Sequence, residues 1–194
     1  PQQRLDAKEV RMLMLPIVSA LVELHANGII HRDIKPDNVV RFVRADGRPG
    51  VKLVDFGIAR RQVDQGMTAS GFVLGTPPYL PPETMLGEKH TPLSDIYALG
   101  ASMFEMITGE PPYGNESVAV IMQRALHQEV VFPRFLRDTP MERLLKRMLA
   151  KNASERPDAM EVLQGLEQMR DPLAKEEGSG PKHRPTRPLS KART

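Results

Sequence analysis

Apolar side chains recur every three or four residues in several stretches of the chain, the spacing of one face of an α-helix. The first stretch covers residues 6–27 and contains Val10, Leu13, Met14, Ile17, Val18, Leu21 and Leu24. Gly28 follows and is expected to end the helix in the left-handed conformation. Pro16 lies inside the stretch and has no backbone N–H, so we expect either a kink or two shorter helices.

Four more helices are predicted further along the chain. Residues 93–108 read as a buried helix that starts after Thr91-Pro92 and stops at Gly109. Residues 117–127, 141–150 and 158–169 have amphipathic spacing and are separated by prolines. The chain is therefore predicted to be mainly α-helical from residue 93 onward.

A β hairpin is predicted between the first two helices. Residues 39–42 and 51–54 are short β-branched stretches, and Asp46-Gly47-Arg48-Pro49-Gly50 between them has strong turn chemistry. Residues 57–83 show neither helical nor strand periodicity and are rich in Gly, Thr, Ser and Pro, which is typical of a long functional loop. The predicted fold class is mainly α with a short β hairpin.

Composition narrows the class of protein. The 194 residues, 40% hydrophobic and 26% charged, fit a globular domain with a substantial core. No apolar run approaches the roughly 18 residues of a membrane helix. The chain has no cysteine and its five histidines are scattered, which argues against disulfides and a zinc site and fits the reducing cytoplasm.

The net charge of +3 comes from the C-terminus. Residues 178–194 hold five basic and no acidic side chains, which leaves residues 1–177 with a net charge of about −2. A nucleic-acid-binding face is therefore not expected. Residues 171–194 are rich in Lys, Arg, Pro, Gly and Ser and are predicted to be a disordered tail after a domain of residues 1–170.

Two motifs carry the candidate chemistry. His31-Arg32-Asp33-Ile34-Lys35-Pro36-Asp37-Asn38 resembles the catalytic loop of protein kinases, and Asp55-Phe56-Gly57 resembles their metal-binding motif. Eight matching residues, followed by the second motif at the family spacing, are a specific signal. The sequence resembles the C-terminal, helical lobe of a serine/threonine protein kinase, most like the eukaryotic-type kinases of bacteria.

The resemblance implies a role for each polar residue of the motifs. Asp33 would orient the attacking Ser or Thr hydroxyl and take its proton. Asn38 and Asp55, at the two ends of the predicted hairpin, would hold Mg²⁺ against the phosphates of ATP. Lys35 would lie near the γ-phosphate, and its position favours Ser/Thr rather than Tyr as the acceptor.

Further residues resemble the kinase segment that receives the substrate. Pro81-Pro82-Glu83 stands where the family usually has Ala-Pro-Glu, and Glu83 is expected to form a buried ion pair with Arg156. Thr76 is expected in the substrate pocket, with hydrogen bonds to Asp33 and Lys35. An unrelated pair of surface charges is the alternative for Glu83 and Arg156.

Asp95 resembles the acidic residue that braces the backbone of the catalytic loop, although an acid in the first turn of a helix is also favoured by the helix dipole. Arg32 resembles the residue that grips a phosphate on the activation loop. Thr68 and Ser70 are the candidate phosphorylation sites, because a phosphate there could order the loop through Arg32.

The sequence contains no Gly-x-Gly-x-x-Gly loop and no Val-Ala-Ile-Lys strand, the parts of a kinase that cover ATP. The resemblance covers residues 5–170, so we expect a truncated catalytic region that binds ATP weakly alone. An N-lobe would come from the same longer chain or in trans, and the uncovered apolar surface predicts self-association.

Two other functions remain open at this stage. The lobe could be a non-catalytic interaction module, a docking platform or decoy for a related kinase's partners. A small-molecule phosphotransferase is disfavoured by the substrate segment around Thr76, which serves protein substrates. The basic tail is either a solvated linker or a juxtamembrane segment of a membrane-anchored kinase.

Overall fold

The computed structural model describes residues 4–55 and 76–175. It contains six α-helices and one hairpin in these ranges: α1 (Ala7–Ala26), β1 (Val39–Val43), β2 (Pro49–Leu53), α2 (Pro82–Met85), α3 (Pro92–Thr108), α4 (Val118–His127), α5 (Pro140–Met148) and α6 (Ala159–Gln168). Short 3-10 helices span Pro36–Asn38, Pro77–Tyr79 and Ala153–Glu155. The predicted fold class, mainly α with a short β hairpin, is confirmed.

Helix α1 is continuous through Pro16, which excludes the alternative of two shorter helices, whereas a kink within one helix stays a prediction. An internal proline costs a helix about 3 kcal/mol. The buried face of α1 offsets this cost, since Val10, Met14 and Leu21 are wholly buried against the other helices. The helix ends as expected, with Gly28 in the left-handed region at a φ of 69°.

Helix α3 runs through the middle of the core. Residues 94–105 and Ile107 are all buried. Thr91 and Ser94 form a capping box at its N-terminus, and Gly109 ends it with a φ of 89°. Because α3 packs against α1, α5 and the three short 3-10 helices, it fixes the relative positions of these elements.

Helices α1 and α6 pack against each other, and a side chain of α1 caps the C-terminus of α6. Arg11 Nε donates to the carbonyl of Leu166 at 2.6 Å, and Nη2 donates to that of Glu167 at 3.3 Å. The last carbonyls of a helix have no partner within it, so Arg11 satisfies groups that α6 leaves open.

The hairpin begins directly after the 3-10 helix Pro36–Asn38, and its second strand returns to the same place. Val39 pairs with Leu53, and the backbone N–H of Val54 donates to the carbonyl of Asn38 at 2.9 Å. Strand β2 starts at Pro49, inside the predicted turn, so that boundary was wrong. Pro49 is tolerated at the first position of a strand, and the Phe42 ring lies where a Cβ on Gly50 would stand.

Within residues 4–55 and 76–175, none of the helices is both long and apolar enough to cross a lipid bilayer.

The packing around Gly100 in α3 and Gly165 in α6 predicts different effects on stability when each is replaced by Ala. A Cβ at Gly100 would lie 2.9 Å from Met148 Cβ, so Gly100→Ala should lower the free energy of unfolding by about 1–3 kcal/mol. At Gly165 in α6 the nearest atom is Leu144 Cδ1 at 3.5 Å, so Gly165→Ala should be neutral or stabilise by up to about 1 kcal/mol. Urea unfolding of both variants measures this, and equal effects would contradict the packing described.

Candidate active site

The loop of residues 31–35 is the first part of the predicted catalytic motif and is called the catalytic loop below. It leads from the end of α1 to the 3-10 helix Pro36–Asn38 and has an unfavourable backbone conformation. Arg32 has a φ of 70°, and the left-handed conformation costs about 1–2 kcal/mol for a residue with a Cβ. The carboxylate of Asp95 holds the loop in this shape. Its Oδ2 accepts the backbone N–H of His31 at 2.8 Å, and its Oδ1 accepts that of Arg32 at 2.9 Å.

Asp95 lies in the first turn of α3 and its side chain is wholly buried. Each carboxylate oxygen has an imidazole partner as well: His25 Nε2 is 3.0 Å from Oδ2 and His90 Nε2 is 3.3 Å from Oδ1. Burial alone would raise the pKa of Asp95. The hydrogen bonds from His25, His90 and the two backbone N–H groups outweigh burial and hold this pKa well below its usual range.

Asp33 is fixed by two neighbouring side chains. Lys35 Nζ donates to Asp33 Oδ2 at 3.1 Å, and Asn38 Nδ2 donates to the same oxygen at 3.2 Å and to the Asp33 carbonyl at 2.7 Å. The side chains of Asp33 and Lys35 keep 15% and 21% of their surface exposed. The carboxylate is therefore positioned and still reachable from solvent.

Asn38 and Asp55 lie at the two ends of the hairpin. Asn38 is buried, and because its amide nitrogen faces Asp33, its amide oxygen is turned away as an acceptor. Asp55 follows Val54, which is bonded to Asn38, and is exposed with a φ of 56°. Both would offer oxygen ligands, the kind Mg²⁺ prefers.

The two oxygen ligands, Asn38 and Asp55, fit a metal ion that is bound jointly by the protein and by a phosphate group. In the parts of the chain that the structure describes, there is no group of three or more His, Cys, Asp or Glu side chains that could hold a metal ion. Magnesium in such sites is bound by one or two protein carboxylates together with substrate phosphates and water. In that mode the Asp55 carboxylate and the Asn38 amide oxygen would be the ligands from the protein.

Thr76 precedes the 3-10 helix Pro77–Tyr79 and lies on the other side of Lys35. Lys35 Nζ donates to Thr76 Oγ1 at 3.4 Å, so the ammonium group joins the loop of residues 31–35 to the segment that begins at Thr76. Thr76 shares a small cleft with Arg32, Asp33 and His90.

Tyr79 and Glu105 form a polar contact beside this cleft that the sequence analysis missed. The Tyr79 hydroxyl donates to Glu105 Oε2 at 2.6 Å. Burial and the neighbouring Glu105 raise the pKa of Tyr79, and burial together with the charge of Asp37 raises the pKa of Glu105. The sequence offered one signal for this contact, because Glu105 is a charged residue on the buried face of a predicted core helix.

Glu83 and Arg156 form a buried, two-pronged ion pair with distances of 2.7 and 2.8 Å. Ser94 Oγ also donates to Glu83 at 2.8 Å. Burial raises the pKa of Glu83, but the bonds from Arg156 overcome this and lower it. Arg156 donates further to the carbonyls of Leu93, Ala150 and Lys151, so it joins α2, α3 and the segment after α5.

Several predicted residues lie outside the described ranges. They are Phe56 and Gly57, the candidate phosphorylation sites Thr68 and Ser70, and the tail from residue 176 onward. Arg32 is described and partly buried, but a phosphate partner for it stays a prediction from the sequence. The contacts of His25 and His90 with Asp95 were not predicted, because isolated histidines carry no recognisable spacing.

The family model of the protein kinase domain matches residues 1–166, so the chain belongs to the protein kinase family. Several of its bacterial relatives are named as serine/threonine-protein kinases, and the chain carries a catalytic region of this kind. The family uses ATP and usually Mg²⁺, and acts on proteins.

Three bacterial relatives illustrate the similarity. Serine/threonine-protein kinase PkaA of Streptomyces coelicolor is 36% identical over 155 residues, 80% of this chain and 28% of that protein. Serine/threonine-protein kinase pkn3 of Myxococcus xanthus is 34% identical, over 92% of this chain and 34% of that protein. PknD of Mycobacterium tuberculosis is 38% identical, over 73% and 21%. The chain spans about a third or less of these relatives.

The bonds to Asp95 predict how stability depends on pH. Because the pKa of Asp95 is lowered by folding, its contribution is fully present well above the ordinary value of 3.8 and declines as pH falls below 3.8. Asp95→Asn should cost about 3 kcal/mol at neutral pH, since it disrupts several charge-assisted hydrogen bonds. Urea unfolding should show the difference between the two proteins shrinking below pH 3.8.

The exposed carboxyl of Glu167 offers a control, because its replacement by Gln should leave stability nearly unchanged at every pH. A cost of Asp95→Asn that stayed constant, or grew, on acidification would contradict the assignment of the carboxylate as the anchor.

Proposed function

We propose that this chain transfers the γ-phosphoryl group of ATP to Ser or Thr hydroxyls of protein substrates. The observation that carries the proposal is the arrangement of Asp33, whose carboxylate is fixed by Lys35 and Asn38 at 3.1 and 3.2 Å and is still partly exposed. Packing alone does not require a partly exposed carboxylate to be held by an ammonium and an amide.

The chemistry asks little of the protein beyond positioning and charge. A bond forms between the acceptor oxygen and the terminal phosphorus as the bond from phosphorus to the ADP oxygen breaks. The acceptor proton leaves to the Asp33 carboxylate. General-base catalysis of this kind contributes about 10²–10⁴-fold to a rate, provided that the base lies within hydrogen-bond reach of the proton.

Lys35 and Thr76 would serve the acceptor side of the site. The Lys35 ammonium lies between Asp33 Oδ2 and Thr76 Oγ1, where it can offset negative charge on the transferred group. Its placement two residues after Asp33 supports Ser/Thr as acceptors, as the family resemblance implies. The protein substrates would bind along the segment that begins at Thr76.

Asn38 and Asp55 would hold Mg²⁺, which supplies positive charge against the phosphate oxygens when bound. The contribution of the chain is to fix both oxygen ligands through the hairpin, whose ends are joined by the Val54–Asn38 hydrogen bond.

We propose further that residues 1–170 form the helical lobe of the kinase domain. A second lobe, on the same polypeptide or in trans, would cover the nucleotide in the cytoplasm.

The test is phosphotransfer from labelled Mg·ATP, first with the chain alone and then with the chain fused to the N-terminal lobe of a related kinase. The fusion should phosphorylate Ser or Thr in a generic protein substrate, and the chain alone should be much weaker. In the fusion, Asp33→Asn should reduce the rate at least about a hundredfold, and Asp55→Asn should abolish Mg²⁺-dependent activity.

Asp46→Asn in the exposed hairpin turn is the matched control and should leave the rate unchanged. A folded fusion that transferred no phosphate would overturn the proposal and favour the docking module. Activity that survived Asp33→Asn would show that another group accepts the proton.

A further inference from the structure

His90 is a largely buried histidine that has no role in the proposed chemistry. It sits in the loop between α2 and α3, five residues before Asp95, and its side chain is only 11% exposed although the residues just before it are exposed. Its Nε2 is 3.3 Å from Asp95 Oδ1, and its Nδ1 is 3.3 Å from Thr84 Oγ1 on α2. It therefore contacts two elements with one ring.

The direction of the bond to Asp95 follows from the chemistry of the partners. An ionised carboxylate can only accept, so Nε2 of His90 must carry the hydrogen that faces Asp95. A hydroxyl both donates and accepts, so Thr84 Oγ1 can pair with Nδ1 whether or not Nδ1 carries a hydrogen. The result is a chain in which Thr84 orients His90 and His90 holds one oxygen of Asp95.

That oxygen is the one that accepts the backbone N–H of Arg32, the residue with the left-handed φ. The other oxygen has its own pair of donors, His25 Nε2 and the N–H of His31. His90 and His25 thus hold the two oxygens of Asp95 separately, each beside one backbone N–H of the catalytic loop. Loss of His90 would free the Arg32 side of the carboxylate alone.

We propose that His90 is a positioning residue, which fixes Asp95 and through it the catalytic loop at Arg32, and which ties this loop to Thr84 on the substrate side. The effect on catalysis rests on the proposed kinase function. The effect on the loop does not, because it concerns hydrogen bonds within the folded chain.

Three substitutions separate the two contacts of His90. The amide nitrogen of Gln is as many bonds from Cα as His Nε2, so His90→Gln can keep the bond to Asp95. The amide oxygen of Asn corresponds to Nδ1, so His90→Asn keeps only the Thr84 contact. His90→Phe removes both and retains the ring. His127→Phe, at the exposed end of α4, is the matched control.

The first measurement is amide hydrogen exchange by NMR in the full chain, which needs no enzymatic activity. Exchange of the Arg32 amide should accelerate about tenfold in His90→Phe and His90→Asn. The His31 amide should change less, since His25 still holds the other oxygen. His90→Gln and His127→Phe should stay near the wild type.

The second measurement is kinetic and uses the form of the protein that transfers phosphate. kcat should fall about tenfold in His90→Asn and His90→Phe and recover in His90→Gln, with KM for ATP nearly unchanged. A residue that serves only stability would change the unfolding temperature and leave kcat of the folded protein unaltered.

The outcomes are distinct. If no form transfers phosphate, the proposed function fails, and the exchange of Arg32 still decides the positioning role. If Arg32 exchange is unchanged in folded His90→Phe, the inference is wrong whatever the activity. If His90→Phe does not fold, the comparison of His90→Gln with His90→Asn decides, and equal Arg32 exchange in the two overturns the inference.

Discussion

The site depends on one buried carboxylate. Asp95 accepts hydrogen bonds from two backbone N–H groups and lies within hydrogen-bond distance of two imidazole nitrogens, with no exposed side-chain surface. An ionised carboxylate is costly to bury without partners, and here each oxygen has two. Those same bonds hold Arg32 in a conformation that a non-glycine residue avoids. The loop that carries Asp33 is thus held by hydrogen bonds from its backbone to a residue that is far away in sequence.

The first turn of α3 joins the loop of residues 31–35 to the Glu83–Arg156 ion pair. Asp95 holds the catalytic loop, Ser94 donates to Glu83, and the carbonyl of Leu93 accepts from Arg156. These three consecutive residues belong to a helix that is buried over most of its length. Because close-packed cores resist deformation, the loop and the ion pair keep a fixed relation to each other.

The sequence predicted five of the six described helices, because their apolar faces repeat with the helical period. The four-residue helix α2 was missed, since it begins inside the stretch that was interpreted as a loop. The start of β2 was missed, because Pro49 and Gly50 are typical turn residues and their place in the strand depends on Phe42 packing over Gly50. The sequence left open whether α1 continues through Pro16 for a similar reason, since burial of the helix face by distant elements decides it.

The candidate site shows the same division. Asp33, Lys35 and Asn38 stand within six residues of one another, so a contiguous motif predicts them together. The contact of His90 with Thr84 depends on tertiary packing and has no local signature. The Tyr79–Glu105 contact also depends on packing, and its one signal in the sequence is a glutamate on the buried face of a predicted helix.

The central claim is that Asp95 imposes the conformation of the catalytic loop, and the backbone of Arg32 reports on it most directly. A residue with positive φ has its amide and α hydrogens unusually close together, which gives a strong NOE between them. The account predicts a strong intraresidue NOE at Arg32 in the wild-type chain and a weak one in folded Asp95→Asn. A weak NOE in the wild type, or a strong one that persists in Asp95→Asn, would contradict it.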